Sequence, residues 1–442
     1  MNLHQSVLGP SSASQTIWDA SVWAECLAFL KRSPRLLHGT PGLSTGPSEQ
    51  CRNWPRLRSV PNPAVPFLIT RRRLLAGIAA LGGTLAGCNT SLPVAAGQSR
   101  LRLLAEARLP HRSLVRDTVV GGLSSIDYDA TRGEYLLLSD DRSDVNPARF
   151  YTTSWALEQA PKLTYVTLLR QADGTTWPNR RQAENGVPVP DPEALRWRPD
   201  ADTLLWTSEG DAARGFGPAL YESRRDGTLV RQIAMPAMFA PSPDGRRGAR
   251  DNLGFEGLAL TADRREVWLG MENALAQDGG IPTQDAPGGP CRFTRVDLAS
   301  GQVSAQIAYQ PDAIPLRPLV PGTYADNGVS EVLMLDAHRM LVLERAYATG
   351  RGNSLRLYEI DTRAASDVLA LDALTPGNHR PAPKTLVADF STLGLSRLDN
   401  TEGMCWGPPL PDGRRLLVVV SDDNFNPLQI TQFAAFAYTD SP

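Results

Sequence analysis

The sequence predicts an all-β protein, a β-propeller of five blades with a sixth left open. Three observations carry this. A unit of roughly seventy residues recurs five times. Each unit opens on two apolar strands joined by a short polar turn, the pattern of a hairpin. The last unit lacks a fourth strand, and a strand-like segment stands unassigned ahead of the first.

That segment is "SRLRLLAEARL" (99–109), and it predicts ring closure, with N- and C-terminal segments sharing one blade. First strands follow at "GGLSSIDYD" (121), "PEALRW" (192), "FEGLAL" (255), "SEVLML" (330) and "TEGMCW" (401). Second strands are "YLLLSDD", "TLLWTSEG", "EVWLGMEN", "MLVLER" and "LLVVVSDDN", each ending in acids or amides. Hairpins around Asp-Gly and Ser-Gly turns supply further strands at 219–235 and 293–309. "RFYTTSWAL" (149–157), "LRLYEIDT" (355–362) and "ITQFAAFAY" (430–438) read as third strands. The connectors near 171–191 and 310–328 are long enough to hide strands of a sixth blade.

Ahead of the repeat lies a different kind of sequence. Residues 70–88, "TRRRLLAGIAALGGTLAGC", join an arginine triplet to a short apolar run and a terminal cysteine. The run is too short and glycine-rich to span a bilayer. It resembles a twin-arginine export signal ending in a lipobox, with Cys88 as the lipid attachment site. This predicts a cell-envelope protein, lipid-anchored and facing the periplasm or the outside, with the propeller spanning 89–442. Residues 1–69 show no sustained period, and are read as disordered or as an over-extended gene start. "GLSTG" (42–46) matches a nucleophile-elbow pattern without the flanking strand and helix, so it carries no weight. Export would permit a disulfide between Cys291 and Cys405, but two lone cysteines do not establish one.

Composition narrows the function. The formal net charge of −2 gives no reason to expect nucleic-acid binding. A small-molecule partner and a monomer are expected. The informative charges are local. Glu193, Glu256, Glu331 and Glu402 recur at the mouths of first strands, 63, 75 and 71 residues apart. Ser124 or Ser125 takes the place in the first unit. In a hairpin the start of strand one and the end of strand two share an edge. Asp141, Glu209, Glu272, Glu344 and Asp422 therefore fall on the same face as the glutamates, around the axis, together with the long loops. Converging carboxylates repel unless a cation joins them. Asp251, Asn252, Asp326, Asn327, Asp399, Asn400, Asn273 and Asn424 add hard oxygen donors. Such a set suits Ca²⁺ or Mg²⁺; His111, His338 and His379 are too few and scattered for a histidine-rich transition-metal site. Metal ligands are expected among Glu193, Glu256, Glu331, Glu402, Asp141, Glu272 and Asp422. The competing reading is structural: a repeated glutamate can bind backbone N–H groups of the next blade, or pair with Arg142 or Arg345.

The motifs "GGLSSIDYD…YLLLSDDRS…ARFY", "DPEALRW…TSEG", "NLGFEGLALT…EVWLGMENAL", "VSEVLMLD…LVLERAY" and "NTEGMCWGPPLPDGRRLLVVVSDDNFN" together resemble the phytase-like proteins with esterase-like activity. The resemblance covers about 118–438. It implies an exported propeller similar in architecture to calcium-dependent alkaline phytases, hydrolysis of a phosphate or carboxylic ester, and Ca²⁺ as cofactor. For a hydrolase working at the acidic face, Glu256, Glu331 and Glu402 are expected as ligands or bases, with Arg142 or Arg345 clamping an anionic group. A non-catalytic binding propeller and a calcium-dependent lactonase-like enzyme remain the alternatives.

Overall fold

A computed structural model describes residues 99–440. The twin-arginine segment, Cys88 and residues 1–69 lie outside the described residues. Among the described residues no helix is long and apolar enough to cross a membrane.

Five four-stranded antiparallel sheets form the blades. Blade 1 comprises Leu123–Asp129, Glu134–Ser139, Arg149–Ser154 and Lys162–Leu168. Blade 2 comprises Pro192–Arg198, Thr203–Ser208, Ala219–Arg224 and Leu229–Ile233. Blade 3 comprises Phe255–Leu260, Glu266–Met271, Cys291–Asp297 and Gln302–Tyr309. In blade 4 the first three strands, Ala325–Met334, Arg339–Ala348 and Gly352–Asp361, are each ten residues long. Its fourth strand, Lys384–Asp389, lies beyond an insertion that the repeat pattern does not reveal. Blade 5 orders Asn400–Trp406, Arg415–Asp422 and Gln432–Tyr438, and Leu101–Arg108 completes it from the other end of the sequence. The closing register runs from Leu101 opposite Tyr438 to Arg108 opposite Gln432. The ring therefore closes as the leftover strand predicts. No sixth blade exists among the described residues: the 310–328 connector runs into the inner strand of blade 4, and 171–191 forms one isolated bridge, Arg170–Thr176.

The core lies between blade faces. Alternating inward residues such as Leu258, Phe293, Val332 and Val342 are fully buried and belong to one cluster spanning blades 2 to 4. Burying each is worth roughly 1.5–3 kcal/mol before entropy. Cys291 and Cys405 are both buried and free, so no disulfide joins them.

The inner strands share a detail that decides the site. Each carries a β-bulge near its start, where one residue escapes the pairing ladder. The bulges isolate Ser124 in blade 1, Glu193 in blade 2 (where the gap also takes in Ala194), Glu256 in blade 3, Ser330 in blade 4 and Glu402 in blade 5. A bulge re-aims the side chain it frees. Two bulge serines bind the neighbouring blade instead of the axis: Ser124 Oγ donates to Pro192 O (3.3 Å) and Ser330 Oγ to Thr401 O (3.1 Å).

One residue further along, adjacent inner strands lock together. Ser125 Oγ accepts from Leu195 N of blade 2 (2.9 Å), and Glu331 Oε1 accepts from Leu258 N of blade 3 (2.9 Å). At the matching positions Gly257 and Gly403 leave no room for a Cβ, which would sit 2.8 Å from Val332 N and from Ile126 N respectively. Below this layer Arg196 crosses the axis. It donates to Ile126 O (3.3 Å), Val332 O (3.3 Å) and Met404 O (3.1 Å), and pairs with Glu331 at 2.7 Å.

Candidate functional site

The axial face opens as a cavity of about 920 Å³. Its floor is made by the bulge glutamates and by the residues that end or follow second strands. Of the acids expected there, Glu193, Glu256, Glu402 and Glu272 line it, and so do both expected arginines, Arg142 and Arg345.

Three expected ligands are elsewhere. Glu331 is not the bulge residue of its blade; Ser330 is, so Glu331 points one layer down. It is fully buried, accepts from Leu258 N and Val332 N, and pairs with Arg196, which is a structural role. Asp141 turns away from the axis to accept from the backbone of Asp144, Val145 and Asn146 and to pair with Arg149 at 2.7 Å. Asp422 lies fully buried behind the wall, accepting from Asn424 N (2.8 Å), and does not line the cavity.

The structure supplies two acids that spacing did not place on this face, Asp140 and Asp191, and one, Glu209, that spacing placed there without naming it a ligand. Asp140, not Asp141, opens into the cavity. Asp191 lines it two residues before Glu193, and Glu209, at the end of the second strand of blade 2, stands between blades 2 and 3. The oxygens of Asp191, Glu193 and Glu209 lie within 4.8 Å of one another, and so do those of Glu209, Glu256 and Glu272. All five side chains are buried.

Two guanidinium groups flank these triads. Arg142 pairs with Asp191, stands 3.8 Å from Glu209 and donates to Asn252 Oδ1 (2.7 Å). Arg345 stands 3.3 Å from Glu272, 3.7 Å from Glu402 and 3.9 Å from Asp326. Asp326 is anchored at the rim by Tyr324 Oη (2.6 Å) and Tyr347 N (2.7 Å). Asn252 and Asn424 line the mouth with left-handed backbones (φ 55° and 45°), a conformation that asparagine tolerates better than most residues.

Crowding sets the electrostatics. Burial, then the neighbouring carboxylates, push Asp140 up to about 7, and burial with Glu272 nearby lifts Glu209 to about 7. Burial outweighs Arg345 at Glu272 (about 8) and at Glu402 (about 7). Burial and acidic neighbours hold Asp191, Glu193 and Glu256 well above the usual range. The donors are carboxylate oxygens throughout, and no described histidine or cysteine lines the cavity, so the set fits a hard cation such as Ca²⁺ or Mg²⁺.

These shifts carry a stability consequence. A carboxyl whose folded pKa is raised binds its proton more tightly when folded. Its contribution is complete below the unfolded value and is lost as pH rises through about 7 to 8. Without divalent ions the thermal midpoint should fall between about pH 5.5 and about pH 8.5. Added Ca²⁺ should raise it more at the higher pH, because the cation replaces protons. Melting curves at both pH values check this; an equal Ca²⁺ effect at both would contradict it.

The fold and site define a class: a five-bladed propeller whose axial mouth carries buried acidic triads that could hold a metal. Over residues 118–425, well over half of its length, the chain belongs to the phytase-like family described as "Esterase-like activity of phytase". No curated protein matches the chain. Among solved structures, the α-L-arabinofuranosidase PaAbf62A of Podospora anserina is 12% identical, covering 78% of this chain and 98% of that one, with a TM-score of 0.40. The periplasmic gluconolactonase PpgL of Pseudomonas aeruginosa is 13% identical, covering 74% and 88%, with a TM-score of 0.30. At these scores neither likeness bears on the activity.

Proposed function

We propose that this protein is an exported, lipid-anchored monomeric hydrolase that cleaves a phosphate or carboxylic ester at the axial mouth with the help of a divalent cation. One observation carries the reading: buried acid triads with a guanidinium on each side, at the open end of a rigid ring. Glu193, Glu209, Glu256 and Glu272, with Asp191, would hold the cation, and Ca²⁺ is the choice that the family resemblance favours. When bound, it supplies positive charge that draws in an anionic ester and makes water more acidic.

The chain's own groups then divide the remaining work. Arg345 and Arg142, one beside each triad, are placed to bind and orient an anionic oxygen. Asp140 opens on the cavity without the backbone and arginine partners that hold Asp141, and burial lifts it to about 7, so it is suited to carry a proton near neutral pH. The test is a panel of model phosphate esters, carboxylic esters and lactones given to the purified full chain. Hydrolysis should disappear with a chelator and return with Ca²⁺; turnover untouched by the chelator overturns the reading.

A second reading, a non-catalytic binding propeller, is favoured by the exposed apolar side chains Tyr324 and Leu428 at the cavity mouth. Capture of one partner through that rim, with no turnover across the panel, would select it. The anchor has its own test. Cys88→Ala should move the protein from the membrane fraction to the soluble fraction, and an unchanged membrane fraction would remove the lipid from the proposal.

A further inference from the structure

We propose that the axial mouth holds two divalent cations that share Glu209 as a common ligand, one with Asp191 and Glu193 and the other with Glu256 and Glu272. The inference rests on the metal reading above and adds the number of ions and the residue between them.

Three independent features of the site converge on it. The first is geometric. The two triads have one member in common, and in each the ligand oxygens lie within 4.8 Å of one another. Oxygens on opposite sides of one Ca²⁺ stand about 4.6–5.2 Å apart, given its usual bond lengths, so each triad is already compact enough for one ion.

The second is an unmet valence. Glu209 Oε1 accepts from Gly254 N (2.7 Å), which fixes the carboxylate. Glu209 Oε2 has no hydrogen-bond partner, with only Arg142 nearby at 3.8 Å, although the side chain is only 2% exposed. Next to Glu272, Asn273 Oδ1 is also buried and unpartnered. Buried oxygens without donors are costly, and they are expected where a ligand completes the shell. Glu209 also has an oxygen within 4.8 Å of Asp191 on one side and of Glu256 on the other. Three carboxyl groups in a row need protons or cations between them.

The third is charge. Asp191, Glu193 and Glu209 act on Arg142, while Glu256, Glu272 and Glu402 act on Arg345. Six carboxylates against two guanidinium groups leave a surplus of four when all are ionised. Asp140 and Asp326 enlarge it. One divalent cation offsets two of these charges and two cations offset four, so the count favours more than one ion.

Calorimetric titration of the full chain with Ca²⁺, after chelation and dialysis, tests the count. Wild type should bind two ions per chain. Asp191→Asn with Glu193→Gln should leave one, Glu256→Gln with Glu272→Gln should leave one, and Glu209→Gln should weaken both by roughly tenfold or more. These substitutions are nearly isosteric, and anomalous diffraction from Ca²⁺-soaked wild-type crystals gives a second measurement that needs no variant. Two peaks should appear, each against Glu209. One ion per chain, or a Glu209→Gln variant that loses only one of two, overturns the shared site but leaves the single-metal reading intact. No bound ion by either method overturns both.

Discussion

Replacing Glu331 with alanine is expected to lower unfolding stability by about 3–5 kcal/mol while leaving Ca²⁺ binding unchanged. The carboxylate is fully buried and does three jobs. It accepts from Leu258 N of the adjoining blade, accepts from Val332 N of its own, and neutralises Arg196 at 2.7 Å. Without it, Arg196 stays buried at the centre of the ring with carbonyl hydrogen-bond partners and only the more distant Asp127 carboxylate, and two backbone N–H groups lose their acceptor. Burial lifts Glu331 to about 7 even beside Arg196, so Glu331→Gln, which keeps an acceptor, should cost less than Glu331→Ala. Denaturant unfolding of both variants, with the Ca²⁺ titration run in parallel, checks the prediction. Lost Ca²⁺ binding in a folded Glu331→Ala variant would return the residue to the metal site.

Replacing Arg345 with lysine is expected to reduce kcat/KM for an anionic ester by roughly 10²- to 10³-fold, the range for removing one preorganised donor to a developing charge. Lysine keeps the positive charge but not the planar fork that faces Glu272, Glu402 and Asp326 together. The same variant should keep its full complement of Ca²⁺ and its thermal midpoint. That separates a group acting on substrate from one that only balances the carboxylates. Steady-state kinetics on a phosphate monoester and on a neutral carboxylic ester should show the larger loss on the phosphate. An equal loss on both would place Arg345 outside substrate binding.

The repeat made the architecture legible because each blade spells its hairpin locally, and the spare strand at 99–109 had only one partner left to find. The site was legible only to within one residue. Strand periodicity treats Glu331 as the counterpart of Glu256 and Glu402, yet the bulge in blade 4 falls on Ser330, and a shift of one position in a strand moves a side chain to another surface. The Asp140–Asp141 pair was ambiguous for a similar reason: the first carboxylate faces the axis while the second is captured by the turn that follows it. Blade 2 showed the converse. "DPEALRW" places Asp191 and Glu193 on one face at a period of two, a signal present in the sequence but outweighed by the more regular glutamates. Glu209 was visible as an acid ending a strand; that it meets two triads at once depends on how blades 2 and 3 pack, which no local pattern encodes.

The closing blade has a consequence for the birth of the molecule. Leu101–Arg108 leaves the ribosome before the other described strands, and its partner Gln432–Tyr438 comes more than three hundred residues later. Through most of synthesis four blades can assemble while an apolar strand waits with an unpaired edge. Such an edge is what intermolecular pairing exploits. The chain therefore stays open to intermolecular pairing until residues 432–438 have been made, and a chaperone that shields residues 101–108 would be needed throughout that interval.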